Sequence, residues 1–97
     1  MISKYVTYKI KASEIDTVVH AVQMFVQAIK ENESNTKYTA YQAADKVSFM
    51  HTMVFSDEAA ESNHRQAEHT LKFVEVVYPR CEIQPVFYDL TLLANTD

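Results

Sequence analysis

The 97-residue chain alternates between segments with the hydrophobic period of a strand and segments with the period of a helix, and their order limits the folds it can adopt. Polar and apolar residues alternate over 5–11, which predicts a half-buried strand. Apolar residues then recur at helical spacing over about 14–33. Two β-prone runs, 37–43 and 47–55, follow with only a short connection between them, which indicates a β-hairpin.

A second helix is predicted over 57–78. Ser56 offers a hydroxyl as the N-cap, and two acidic residues follow it in the first turn, where the helix dipole favours negative charge. One apolar stripe runs from Ala60 to Tyr78 at helical spacing and stops before Pro79. We therefore expect one continuous helix in this part of the chain.

The last β-prone run, 82–93, contains Pro85, which has no N–H to donate and therefore indicates an edge strand or a bulge. The complete order is β-α-β-β-α-β, the split βαβ pattern. We predict a single α+β domain over residues 1–97, with a ferredoxin-like, four-stranded antiparallel sheet and both helices on one face.

The chain contains no glycine. Glycine-rich phosphate loops and the dinucleotide-binding fingerprint are therefore excluded. Turns that need a positive φ must use other tolerant residues, and the candidates are Asn32, Asn35 and Asp45. The formal net charge is −4 and there is no cluster of basic residues, so we expect no nucleic-acid partner.

Cellular location is predicted from cysteine content and from the N-terminal residues. Cys81 is the only cysteine, which excludes an internal disulfide framework and is typical of a reducing compartment. The N-terminus lacks the continuous apolar stretch of a signal peptide. No apolar run approaches the length that spans a bilayer. We therefore expect a soluble, cytoplasmic protein that does not associate with a membrane.

Apolar residues occupy both faces of the predicted strands. In the third strand Phe49 and Met53 alternate with Met50 and Val54, and in the fourth Val86, Tyr88 and Leu90 alternate with Phe87. Two helices cover only one face of such a sheet, and an uncovered apolar face normally meets a partner. We predict a homodimer formed through the sheet face. The alternative is a monomer with scattered surface aromatics, which are common.

The predicted second helix carries the residues best suited to chemistry. Asn63 and His64 lie beside its apolar stripe and should face the sheet. Glu61 and Glu68 lie about one turn from His64, and a nearby carboxylate could tune its imidazole as an acid or base. The alternative is a histidine at the edge of the core, bonded to one of these carboxylates. His69 should point away from the sheet, too far around a regular helix to share a metal ion with His64, so no metal site is predicted.

Two other residues are of chemically reactive types. His51 lies in the middle of a strand among apolar neighbours, so it is either a hydrogen-bonded core histidine or part of a pocket wall. Cys81 has no nearby cation except Arg80, so a catalytic thiolate is not expected.

The stretch from Phe55 to Phe73 resembles the antibiotic biosynthesis monooxygenase domain. The shared features are a strand ending in Phe55, an acidic helix start at 57–60, and the H-x-x-x-x-H spacing of His64 and His69. The resemblance implies a chain that pairs sheet to sheet as a dimeric α+β barrel. Members of that family include cofactor-free oxygenases of phenols or hydroquinones, haem-degrading enzymes and isomerase-like proteins. The haem-degrading branch has a characteristic tryptophan, and this chain has none.

The resemblance implies a cofactor-independent monooxygenase that acts on a small phenolic or quinol-type aromatic compound. His64 would be the catalytic base and Asn63 would orient the substrate oxygen, while His51, Tyr8 and Glu68 would belong to the substrate pocket. No cofactor is expected. The alternative is a non-catalytic homodimer that binds a small ligand or has a regulatory role. A cavity beside His64 would favour the enzyme, and a filled core with His64 bonded to Glu68 would favour the alternative.

Overall fold

A computed structural model describes residues 1–97. Its four strands form one antiparallel sheet in the order β2-β3-β1-β4. The elements in chain order are β1 (Ile2–Ile10), α1 (Ile15–Asn32), β2 (Thr36–Gln42), β3 (Ser48–Phe55), α2 (Glu58–Gln66), α3 (Glu68–Val77) and β4 (Cys81–Leu90), with short 3-10 turns at Ala12–Glu14 and Tyr78–Arg80. The predicted ferredoxin-like α+β fold is confirmed.

The predicted β-hairpin is present, but its turn differs from the expectation. Lys46 has a φ of 71° and is the one residue in the left-handed region, so the prediction of Asn32, Asn35 or Asp45 for that role is wrong. Asp45 instead uses its side chain. Its carboxylate accepts hydrogen bonds from the backbone N–H groups of Val47 and Ser48 at 3.0 and 2.8 Å. The residue after Asp45 therefore takes the positive φ.

The predicted helix over 57–78 is broken in two, and the expectation of one continuous helix is wrong. Ala67 has an extended backbone, with φ −64° and ψ 144°, and it separates α2 from α3. The start of α2 also differs. Asp57 rather than Ser56 is the N-cap, because its carboxylate accepts a hydrogen bond from the N–H of Ala60 at 2.8 Å. The carboxylate is the stronger acceptor for that orphan N–H.

The core lies between the helices and one face of the sheet. The side chains that fill it come from alternate strand positions and from one stripe of each helix. The buried members are Val6, Tyr8, Ile10, Val18, Val22, Phe25, Ile29, Phe49, His51, Met53, Phe55, Ala60, His64, Phe73, Val77 and Cys81. Two of these sixteen are histidines, and both face the space between the sheet and the broken helix.

The opposite face of the sheet carries no helix and is largely apolar. Strand register places Ser3, Tyr5 and Thr7 of β1 opposite Leu90, Tyr88 and Val86 of β4 on this open face. The large hydrophobic side chains exposed there are Tyr41, Met50, Ile83, Val86, Tyr88 and Leu90. The rings of Tyr5 and Tyr88 stack at 4.6 Å between centroids. The prediction that the strands are apolar on both faces is confirmed.

β4 is an edge strand, and its pairing with β1 is irregular. Thr7 pairs with Val86, whereas Lys9 pairs with Ile83, so β4 has one extra residue in this interval. Pro85 lies within that interval, so the prediction of an edge position or a bulge is confirmed on both counts. None of the helices combines the length and the apolar character needed to cross a bilayer.

Candidate functional site

A cavity of about 440 Å³ lies between the sheet and the α2–α3 pair. Ten of its 17 lining residues are hydrophobic, and they include Val6, Phe25, Met53, Phe55, Phe73 and Phe87. The predicted pocket residues Tyr8 and His51 line it, and so does His64. A concave, mostly apolar space with a few polar groups is typical of a small-molecule site.

His64 is held by a carboxylate that the sequence did not suggest. Its Nδ1 atom lies 3.0 Å from both carboxylate oxygens of Glu33, the residue that follows α1. The two side chains are only 7% and 9% exposed, so water competes little with this contact. Because the carboxylate is an acceptor, Nδ1 carries the proton and Nε2 carries the lone pair.

The Nε2 atom of His64 is free to act on a ligand. It has no hydrogen-bond partner within the protein. It is not fully buried either, because Thr70 Oγ1 is the one fully buried side-chain N or O atom that lacks a partner. His64 lines the cavity, and Nε2 is the ring nitrogen that Glu33 leaves available to a ligand bound there. An imidazole held by a carboxylate on one nitrogen and open on the other is suited to accept a proton.

Glu33 also binds the second histidine of the broken helix. The Nε2 atom of His69 donates to the carboxylate at 2.5 Å, and its side chain is 16% exposed. The ligand atoms of Glu33, His64 and His69 all lie within 4.8 Å of one another. The prediction that His69 points away is therefore wrong, because it assumed a regular helix and the break at Ala67 turns α3 so that His69 reaches Glu33.

The charge state of Glu33 follows from these contacts. Burial raises the pKa of its carboxyl, but hydrogen bonds from His69 and His64 outweigh burial, so the net pKa lies below its usual value. Glu33 is therefore a carboxylate at neutral pH. Two imidazole nitrogens and one carboxylate oxygen are also ligands of the kind that divalent transition metals prefer.

A second polar group on the cavity wall consists of two tyrosines and a histidine. The hydroxyl of Tyr8 lies 2.8 Å from Nε2 of His51, and the hydroxyl of Tyr38 lies 2.7 Å from Nδ1. Burial lowers the pKa of His51 to about 4, so the ring is neutral. Burial also raises the pKa of both tyrosines above the usual value, so both keep their protons.

His51 and the two tyrosines leave one hydroxyl proton free for a ligand. A neutral imidazole donates from one nitrogen and accepts at the other. It therefore accepts from one tyrosine and donates to the other, and the tyrosine that accepts keeps an unused O–H. Tyr8 and Tyr38 both line the cavity. Thr70 also lines the cavity, but its Oγ1 is fully buried and has no hydrogen-bond partner. The cavity thus has hydrogen-bond capacity that the protein does not use itself.

Two predicted site residues lie elsewhere. Asn63 is exposed and does not line the cavity, because His64 alone of this pair turns inward on α2. Glu68 is exposed and lines a separate groove between α1 and α3. It forms no hydrogen bond or ion pair with His64, and Glu61 instead pairs with Lys4 at 2.5 Å. The expected roles of Asn63 and Glu68 in the pocket, and of Glu61 or Glu68 as the partner of His64, are therefore wrong.

Glu33 and Tyr38 were missed at the level of sequence. Glu33 lies in a polar run that ends a helix, where glutamate is ordinary. Tyr38 was recognised only as part of a β-prone strand. The available signal was the register of β2 on β3, which pairs Ala40 with His51 and Tyr38 with Met53 and so brings the tyrosine beside the histidine.

The fold is shared with solved structures. A crystal structure of an antibiotic biosynthesis monooxygenase superposes with a TM-score of 0.88 at 18% identity, covering 97% of this chain and 100% of that one. A candidate antibiotic biosynthesis monooxygenase from Nitrosomonas europaea gives 0.86 at 15% identity, covering 99% and 93%. A protein from Pseudomonas aeruginosa gives 0.82 at 20% identity, covering 96% and 94%.

The chain therefore has the antibiotic biosynthesis monooxygenase fold, as the sequence resemblance implied. At these identities the likeness is one of fold alone. The sequence matches no family profile and shows no significant similarity to a curated protein.

Proposed function

We propose that this protein is a cofactor-independent monooxygenase of a small phenolic or quinol-type aromatic compound. The observation that carries the proposal is the Glu33–His64 pair, whose free Nε2 opens onto an apolar cavity of about 440 Å³. The monooxygenase fold of the structural neighbours adds support. His64 is bonded to Glu33 rather than to Glu68 and lines a cavity, and this arrangement supports the enzyme over a protein with a filled core.

The first step of the proposed reaction is a proton transfer. The substrate hydroxyl gives its proton to Nε2 of His64, and Glu33 stabilises the imidazolium that forms. The unused hydroxyl of Tyr8 or Tyr38 hydrogen-bonds the phenolate oxygen and keeps it in place. The apolar walls exclude water, so the electron-rich anion is not quenched by solvation.

The second step uses dioxygen as the oxidant. A ring carbon of the anion forms a bond to one oxygen atom, and the electrons come from the substrate itself. The resulting peroxide takes up the proton from His64 as its O–O bond breaks and hydroxide departs, and the hydrogen on the same ring carbon is lost as a proton that converts the hydroxide to water. For a phenol with a free para position the products are a quinone and water, so one oxygen atom enters the product and the other leaves as water. Atoms and electrons balance without a further reductant.

The test is oxygen uptake by the purified protein with a panel of small phenols, naphthols and quinols, followed by mass spectrometry of products formed under ¹⁸O₂. One labelled oxygen per product is expected. His64→Ala should lower turnover by ~10²–10⁴-fold, the usual contribution of a general base. His20→Ala removes an exposed histidine of α1 and serves as the matched control. Equal rates in the wild type and His64→Ala would overturn the proposal.

We also infer that the open face of the sheet pairs with a second copy of the chain. Six large hydrophobic side chains are exposed on that face, and no element of the chain covers them. A small chain gains stability by burying such a face. A two-fold pairing would bring the same aromatic and aliphatic patch of the two copies together.

A further inference from the structure

We propose that Glu33, His64 and His69 bind one divalent transition-metal ion of the Zn²⁺ class, and that a bound ion prevents His64 from acting as a base. The first part is a binding claim that stands on geometry alone. The second part rests on the proposed function. Neither part follows from the fold, because the site depends on three side chains and on the break at Ala67.

The ligand set suits such an ion. Zn²⁺ is bound by histidine nitrogen at about 2.0–2.1 Å and by carboxylate oxygen at about 2.0–2.2 Å. Ligand atoms around one ion are therefore roughly 3–3.5 Å apart in a tetrahedral site. Nδ1 of His64 lies 3.0 Å from Glu33, Nε2 of His69 lies 2.5 Å from it, and all three ligand atoms lie within 4.8 Å of one another. The His69–Glu33 contact must lengthen by roughly 0.5–1 Å to admit an ion, which side-chain rotations can supply.

The surroundings favour a cation at this position. Glu33 forms no ion pair with a lysine or arginine, so no permanent positive charge offsets its negative charge. It caps the C-terminal end of the 18-residue helix α1, where the helix dipole adds partial negative charge. Phe25 packs against both imidazoles, with ring centroids 5.7 Å from His64 and 6.1 Å from His69. The ligands are thus oriented before an ion arrives.

The position of the proton on His64 connects this site to the cavity. With Glu33 as the partner of Nδ1, the Nε2 atom is an acceptor. A metal ion on Nδ1 displaces that proton, and a neutral imidazole ligand then carries its proton on Nε2. The same ring therefore presents a donor to the cavity when the ion is bound. A phenol cannot give a proton to it in that state, so ion binding and base function exclude each other.

The binding test uses full-length, tag-free protein treated with chelator, then titrated with Zn²⁺ in competition with a fluorescent chelator. One ion per chain is expected. His69→Ala and the nearly isosteric Glu33→Gln should each weaken binding by at least ~100-fold, since even partners outside the ligand shell cost ~10–100-fold. His20→Ala should bind as the wild type does. Wild-type binding that is no tighter than that of His69→Ala would overturn the proposal.

Co²⁺ provides a second readout that does not depend on activity. Its visible absorption should report histidine and carboxylate ligands, without the thiolate band that binding at Cys81 would produce. Circular dichroism and the melting temperature establish that each variant is folded. A thiolate band, or a Co²⁺ spectrum that survives in His69→Ala, would place the ion elsewhere and overturn the proposal.

The two parts of the proposal fail separately from the proposed function. Zn²⁺ binding is measured without any substrate, so a blank substrate screen leaves the binding result intact. If turnover is found, Zn²⁺ should abolish it in proportion to occupancy, and a chelator should restore it. An unchanged rate at full occupancy would overturn the exclusion between ion and base while leaving both the ion site and the oxygenase activity established.

Discussion

Nδ1 of His64 lies 3.0 Å from the carboxylate of Glu33, a residue 31 positions earlier in the chain, and this contact determines which nitrogen of His64 can act on a ligand. The carboxylate holds the proton on Nδ1 and leaves the Nε2 lone pair open to the cavity. It also binds His69, so one residue at the end of α1 organises both histidines of the broken helix.

Replacement of Glu33 tests its control over His64. In Glu33→Gln the side-chain amide can donate to Nδ1, which would move the ring proton to Nε2 and remove the base from the cavity. Turnover of the phenolic substrate should fall by ~10²–10⁴-fold, as when the carboxylate of a catalytic triad is made neutral. Steady-state oxygen uptake measures the effect. Glu31→Gln, an exposed glutamate two residues earlier, is the control, and equal losses in both variants would contradict this role.

His51 should make stability depend on pH. Burial lowers its pKa to about 4 from the unfolded value of 6.5, so between these values the unfolded chain binds a proton that the native protein resists. The contribution of His51 to the free energy of unfolding should therefore be complete above pH 6.5. As the pH falls towards 4, the free energy of unfolding should decrease by up to roughly 3 kcal/mol. Urea denaturation at several pH values measures this slope.

The pH dependence of the wild-type unfolding free energy should be compared with that of His51→Gln. This variant should be less stable than the wild type at pH 7.5, because it loses the bonds to Tyr8 and Tyr38, but its stability should change less between pH 6.5 and 4.5. His20→Ala, which removes an exposed histidine, should keep the wild-type slope. A slope that is the same in the wild type and His51→Gln would assign the effect to other groups.

The tyrosine hydroxyls should support the buried imidazole. Tyr8→Phe or Tyr38→Phe leaves one nitrogen of His51 without its partner at 2.8 or 2.7 Å. A buried polar atom without a partner costs about 1–3 kcal/mol, so each variant should lose that much unfolding free energy. Chemical denaturation at pH 7.5 provides the measurement. Tyr41→Phe, on the open sheet face, is the matched control and should lose less than either.

A charge on the open sheet face should disrupt the proposed dimer. Sedimentation equilibrium of the wild type should give about twice the chain mass of 11.2 kDa. Val86→Glu should give a monomer or an unfolded chain, because a buried unpaired charge is costly and an obligate dimer has little stability alone. Leu71→Glu alters an exposed apolar residue on α3, away from the open sheet face, and should leave the mass unchanged. A wild-type monomer at micromolar concentration would rule out the dimer.

Local pattern was sufficient for most of the secondary structure. The alternation in β1, the helical stripe of α1 and the short polar turn before β3 depend on neighbours within one or two turns of chain, so they can be recognised without knowing the fold. The position of Pro85 in the sheet could be predicted from its chemistry alone, because a residue without an N–H belongs at an edge or a bulge wherever it occurs in a sheet. These features led to the correct element order and to the correct sheet.

Tertiary structure alone decided the composition of the site. No proline or glycine marks the break at Ala67, so a continuous helix was the reasonable expectation, and on such a helix His69 faces away from His64. The break depends on how α2 and α3 each pack on the sheet, which is a non-local property. Glu33 meets His64 and His69 across 31 and 36 residues of chain. Contacts between residues so far apart in the chain depend on where whole helices lie on the sheet. The periodicity of the sequence does not predict that placement.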